Sequence, residues 1–188
     1  MSADLTTIEN AAIDKVNAVQ VLVTPAVVGP PAVPAVYRPF FAKVDVYQGE
    51  RGEEFLNLSR QYAPSVWFRT EHALNQPGEF TQAMTLGQSV MTGTTQNRES
   101  ITLGLFCLAK SLRSPRELRQ GGLGVVGLYD ILNLIIGPKN SPATTAGQLR
   151  GYKPAGADEP FVFVGWELLG QSTTAVAAQL LFRTRVQL

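Results

Sequence analysis

"PFVFVGWELLGQSTTAVAAQLLFRTRVQL", residues 160–188, reads as two apolar runs broken by a tight turn at Gln171-Ser172. In the second run Ala178, Leu180, Phe182, Thr184 and Val186 fall on one side of an extended chain. Gln179, Leu181, Arg183, Arg185 and Gln187 fall on the other, because side chains alternate across a strand. One face is predicted to be core and the other largely polar. Two such runs joined by so short a turn form an antiparallel hairpin, and the rest of the chain has to supply strands for it to pair with.

Those strands lie upstream. "SITLGLFCLAK" (100–110) is apolar on both faces except for Thr102, as expected of a central strand. "PSVWFRTE" (64–71) and "FFAKVDVYQG" (40–49) read as two more, and part of the polar stretch 80–91 as a further one. Helices are fewer. "TTIENAAIDKVNAV" has capping-box spacing between Thr6 and Glu9, and Leu5, Ile8, Ala12, Val16 and Val19 recur every three or four residues, so a helix is predicted over 6–19. A short one is expected in "GEEFLNLSRQYAP" (52–64), ending before Pro64. A very apolar one is expected over 124–136, closed by Gly137-Pro138. "SLRSPRELRQGG" (111–122) reads as a basic, polar connection. The predicted fold class is α+β: one domain spanning 1–188, with an antiparallel sheet of four to five strands and two main helices packed on one face. Proline-rich and polar extended segments complete it: a proline-rich arm at 24–39 and long loops at 74–97 and 138–159.

The segment "GGLGVVG" (121–127) contains Gly122, Gly124 and Gly127 in the spacing of a dinucleotide-binding loop. The context does not fit. Ten polar residues separate the preceding strand from Gly121, and no acidic residue follows about 20 positions on. No Gly-Lys-Ser/Thr follows either. Packing explains the glycines better: placed three apart on one side of a buried helix, Gly124 and Gly127 would let its backbone approach the sheet. A nucleotide-binding enzyme using Gly122–Gly127 is the remote alternative.

Other chemistry is thinly provided for. One cysteine, Cys107, and one histidine, His72, fall short of the three or four ligands of a zinc site, and Cys107 reads as a small core residue. Glu53-Glu54 and Asp158-Glu159 read as solvated surface, and Trp67 and Trp166 as core. No catalytic residue, cofactor or metal is predicted, so the chain is not read as an enzyme. Charged residues make up 16 % of the chain, below the roughly 25 % usual for soluble domains, which leaves apolar surface for partners to cover. Residues 1–97 carry 6 basic and 9 acidic side chains, and residues 98–188 carry 10 and 6. If the halves face opposite ways, one copy's acidic side meets the next copy's basic side, the head-to-tail contact that builds rings or filaments. The interface candidates are Arg113, Arg116 and Arg119 beside the apolar helix, Arg183 and Arg185 on the polar side of the last strand, and Pro30, Pro31 and Pro34 in the arm. No stretch approaches the roughly 20 apolar residues of a membrane span, and the polar start "MSADLTTIEN" points to synthesis in a cytoplasm.

In order, "IENAAIDKVNAV", "VDVYQGERGEEF", "YAPSVWF" and then "SLR", "ELRQGG" and "GLYDILNLIIG" resemble the tail-terminator, or tail-completion, proteins of Mu-like contractile-tailed phages and prophages. The resemblance covers residues 5–20 and 42–137, and the final hairpin by arrangement. The segments 24–39, 74–97 and 138–159 are longer than the family pattern. The resemblance implies a structural virion protein at the head-proximal end of the tail, forming a ring, typically of six copies, that caps the tail tube. Its implied partners are itself, the tail tube protein, the tail sheath protein and the neck or head–tail connector protein, with DNA only passing through the lumen and no membrane. The alternative within the same particle is a neck or head-completion protein.

Overall fold

The computed structural model describes residues 5–24, 34–47, 61–73, 98–111, 114–122, 125–137 and 146–187. In chain order the elements are α1 (Leu5–Asn17), β1 (Gln20–Thr24), β2 (Val36–Pro39), β3 (Lys43–Val46), β4 (Ser65–Ala73), β5 (Arg98–Lys110), α2 (Pro115–Gln120), α3 (Leu128–Ile136), β6 (Val162–Gln171) and β7 (Ala175–Gln187). Among the described residues the fold is α+β, with helices α1, α2 and α3, a two-stranded sheet β1-β2 and a five-stranded sheet in the order β3-β4-β5-β7-β6.

The terminal hairpin forms with antiparallel β6 and β7, but the turn sits one residue later than predicted. Ser172 holds it: the Ser172 N–H donates to the Ala175 carbonyl at 2.8 Å, and the Ala175 N–H donates back to Ser172 Oγ at 3.0 Å. On β7, Val176, Ala178, Leu180, Phe182, Thr184 and Val186 are buried, as the alternation requires. β5 is the central strand, paired on both sides. Val66, Cys107 and Ala178 are register neighbours across β4, β5 and β7, as are Phe68, Leu105 and Leu180. These rows form one apolar face, which shares a single core with Ile8, Ala12 and Val16 of α1, Leu118 of α2, and Leu128, Ile131, Leu132 and Ile135 of α3. α1 packs on β3 and β4, and α3 on β5 and β7.

The sheet is not wholly antiparallel, since β3 runs parallel to β4, with Lys43 opposite Ser65 and Val46 opposite Phe68. A parallel pair needs a crossover, here residues 47–64, and nothing in a four-residue strand announces its direction. The ends of the proline-rich stretch pair as well: β1 and β2 are antiparallel, with Gln20 opposite Pro39. The "basic connection" contains a helix, α2. Ser114 is its N-cap, accepting the Glu117 N–H at Oγ (3.2 Å), and Pro115 opens its first turn. At the start of the chain the helix begins at Leu5, which puts Thr6 inside the first turn rather than at the cap. The expected strand at 80–91 and almost all of the expected helix at 52–64 lie outside the described residues.

Residues 146–161 wedge between α1 and α3. The Gly147 N–H donates to the Lys15 carbonyl and the Leu149 N–H to the Ile135 carbonyl, at 2.9 and 2.8 Å. Gly147 has φ +84°, and a Cβ there would strike Val19 on one side and Leu134 on the other. Further along, Phe161 is buried against Phe182.

Candidate interaction surface

The apolar helix was predicted to start at Gly124 and to include Gly127. α3 instead starts at Leu128, with Gly127 as its N-cap. Gly124 lies outside the described residues. Gly121, Gly122 and Val125 form a compact turn in which Gly122 and Val125 exchange both N–H···O bonds, at 3.1 and 3.0 Å. The close approach is backbone to backbone, not helix to sheet: a Cβ on Gly127 would lie 2.0 Å from Gly121 N. The Gly127 N–H donates to Asp130 Oδ2 at 3.0 Å. An anion at a helix start uses such amides; here the protein's own carboxylate occupies the site that a phosphate would need. α3 is also amphipathic rather than buried all round, with Tyr129, Asp130 and Asn133 exposed.

Cys107 and His72 are not brought together. Cys107 pairs with Val66 and His72 with Ile101, which sets them six residues apart along the ladder, about 20 Å at the usual rise. The Cys107 thiol is fully buried, and desolvation pushes its pKa well above the ordinary value. Among the described residues no group of three or more His, Cys, Asp or Glu is arranged to hold a metal ion, and no helix is long and apolar enough to cross a membrane.

The two edges of the five-stranded sheet differ sharply. β3 is four residues long, and its Asp45 is tied down. Lys43 Nζ lies 2.9 Å from Asp45 Oδ2, and Asp45 Oδ1 accepts the Val46 N–H at 2.8 Å. Those bonds, Lys43 first, hold the Asp45 carboxyl below its ordinary pKa, and the same hydrogen bond raises that of Lys43. A four-residue edge with a charged pair on it, and with the Val46 N–H taken up by the Asp45 side chain, is a blunted one. β6 is ten residues long, and Val162, Val164, Trp166, Leu168 and Leu169 are all exposed on it. Bulges after Phe163 and Leu168 shift its alternation. As a result Trp166 and Leu168 stand opposite Leu180 and Ala178, on the core side of the sheet, yet 45 % and 46 % exposed. Trp166 was predicted to be core. It meets exposed Tyr129 of α3 edge to face, with ring centroids 6.4 Å apart. Trp67, the other tryptophan, is 4 % exposed, and its Nε1–H donates to Ser65 Oγ.

The predicted arginines divide. Arg116 and Arg119 are exposed on α2 and line an open recess of about 410 Å³ with Pro115, Gln120, Tyr129 and Gln171, at the end of β6. Arg119 donates to Gln171 Oε1 at 2.7 Å through Nε, and Arg116 Nε donates to Gln120 Oε1 at 2.9 Å. Arg119 thus meets the C-terminal end of β6. Arg183 and Arg185 are exposed on the opposite face of β7, where Arg185 lies 3.5 Å from Glu159. The two arginine pairs are not brought together. Pro34 is exposed just before β2, while Arg113, Pro30 and Pro31 lie outside the described residues. Sequence reading missed the β6 row; its trace was five large apolar residues in a run that alternation alone could bury on only one side. No family model, curated protein or solved structure matches the chain.

Proposed function

We propose that this chain is a structural virion protein: a ring-forming tail terminator that caps the tail tube of a contractile phage or prophage tail and joins it to the neck. Two lines support the reading. The phage assignment rests on the order of segments from "IENAAIDKVNAV" to "GLYDILNLIIG". Assembly rests on one observation, the long open apolar edge at β6 facing away from a short blunted edge at β3. Exposed apolar patches flanked by polar groups mark contact surfaces, and two unlike edges suit a head-to-tail ring. In this reading the helices form one layer over the sheet, leaving the face with Arg183 and Arg185 for another component of the particle. The proline-rich arm, with Pro30, Pro31 and Pro34, lies on neighbouring subunits. The chain carries no catalytic step.

The test is a particle assembled without this protein. Overlong, headless tails are the expected result. Tails of normal length that fail to join heads would assign the chain to the neck instead, and normal particles would end both readings.

A further inference from the structure

Among the described residues, the large apolar side chains left exposed fall into two groups. One is the β6 row with Tyr129, and the other is Val36 and Tyr37 on β2. Both groups belong to strands with an open edge: among the described residues β6 pairs with β7 and β2 with β1, each on one side. An open edge strand with apolar side chains is a template for another strand. We propose that β2 of a second copy adds antiparallel to β6 and extends the five-stranded sheet, so that the β1-β2 ribbon of each copy lies on the next. The proposal deepens the ring reading and rests on it.

Three observations select β2 as the occupant. The first is place. β2 ends at Pro39 and β3, an edge of the five-stranded sheet, starts at Lys43, so the ribbon is rooted at that edge. β6 is the opposite edge, about 19 Å from β3 at the usual strand spacing. Each copy thus offers its ribbon at one edge and its open strand at the other, as a head-to-tail contact requires. The second is the backbone. The Phe40 N–H donates to the Val19 carbonyl at 2.9 Å, and bonded pairs alternate along an antiparallel ladder. Arg38 therefore bonds towards Val21, its register partner, while Tyr37 turns its N–H and C=O to the open edge. The added ladder is short, because Pro39 has no N–H to continue it. The third is the match of side chains. Arg38 and Val36 lie on one face of β2 and Tyr37 on the other. On β6, Glu167 stands opposite Gln179 on the face away from the core, whereas Trp166 and Leu168 stand on the core side. Setting Arg38 opposite Glu167 brings Tyr37 opposite Leu168 and Pro39 opposite Trp166, with Val36 beside Leu169. Arg38 and Glu167 are exposed, and each is the one charged residue of its strand. Neither has an ion-pair partner among the described residues. An opposite-charge pair across two strand edges fixes register.

The test is disulfide trapping between copies, with Arg38→Cys and Glu167→Cys as the introduced thiols. In the proposed register they form a pair without mutual hydrogen bonds, with Cα atoms about 4.5 Å apart, inside disulfide range. The native Cys107 is buried and takes no part. Mixing the two single variants under mild oxidation is expected to give a covalent pair that neither gives alone. The double variant is expected to give a ladder of oligomers. In parallel, Arg38→Glu should weaken self-association by about tenfold, and Glu167→Arg in the same chain should restore it. Circular dichroism melting shows that each variant is folded. A covalent pair from Glu167→Cys alone would mean that β6 meets β6 and would overturn the proposal. So would an intact oligomer without mixed cross-links, which would give the β6 edge to another protein while leaving the ring reading standing. A wild type that stays monomeric would remove both.

Discussion

Gly127 shows how tightly single residues set the turn before α3. Its φ is −86°, which any residue adopts, so the requirement is for space, not for conformation. Gly127→Ala would drive a methyl group into the Gly121 amide, and we expect a loss of about 3 kcal/mol on denaturant unfolding. Gly122→Ala meets only the Glu117 side chain at 3.3 Å and should change stability by less than about 1 kcal/mol. Neither variant should alter a response to added nucleotide, because a nucleotide should give no thermal shift in the first place; a shift abolished by Gly127→Ala would reinstate the phosphate reading. Asp45 gives a pH signature. Its carboxyl is held below the ordinary 3.8, so its contribution is present above that value and fades as pH falls through the lower folded value. Asp45→Asn should therefore destabilise slightly at pH 7 and progressively less as the pH is lowered below 3.8, by comparison of urea midpoints. The glycine spacing was visible in the sequence, but its meaning was not. Whether Gly127 lies inside a helix or caps it depends on where Asp130 points, and that is a matter of three-dimensional contact.

Among the elements, α2 carries a local signal that its composition obscured. Ser114-Pro115-x-Glu117 has the N-cap, first-turn proline and acidic third position of a helix start, but three arginines in seven residues make the stretch read as a solvated link. Ser114→Ala should cost about 1 kcal/mol and lower the thermal midpoint without changing the fold. β4, β5, β6 and β7 were legible because long alternating or wholly apolar runs specify strands directly. Two properties were not legible, the parallel direction of β3 and the exposure of β6. Strand direction is set by a crossover, and strand position in a sheet by pairing partners; neither leaves a mark within the strand. Bulges then moved Trp166 to a row that no local period predicts. The same bulges leave Trp166 half in solvent, so Trp166→Ser should disturb unfolding by about 1 kcal/mol or less while removing much of any self-association.

Across the whole molecule, the five-stranded sheet has one short edge at β3 and one long apolar edge at β6. A monomer would have to keep Val162, Val164, Trp166, Leu168 and Leu169 in water; an assembly removes them from it. Each interface residue proposed on β6 or α2 lies on a regular element, so the surface is held ready before any partner arrives. The most direct measurement is light-scattering mass over a wide concentration range, for the wild type and for Trp166→Ser combined with Leu168→Ser. The wild type should reach a closed multiple of 20.4 kDa, typically six, and the variant should stay at one copy while melting as a folded protein. A wild type fixed at one copy, or a variant as large as the wild type, would contradict assembly through β6.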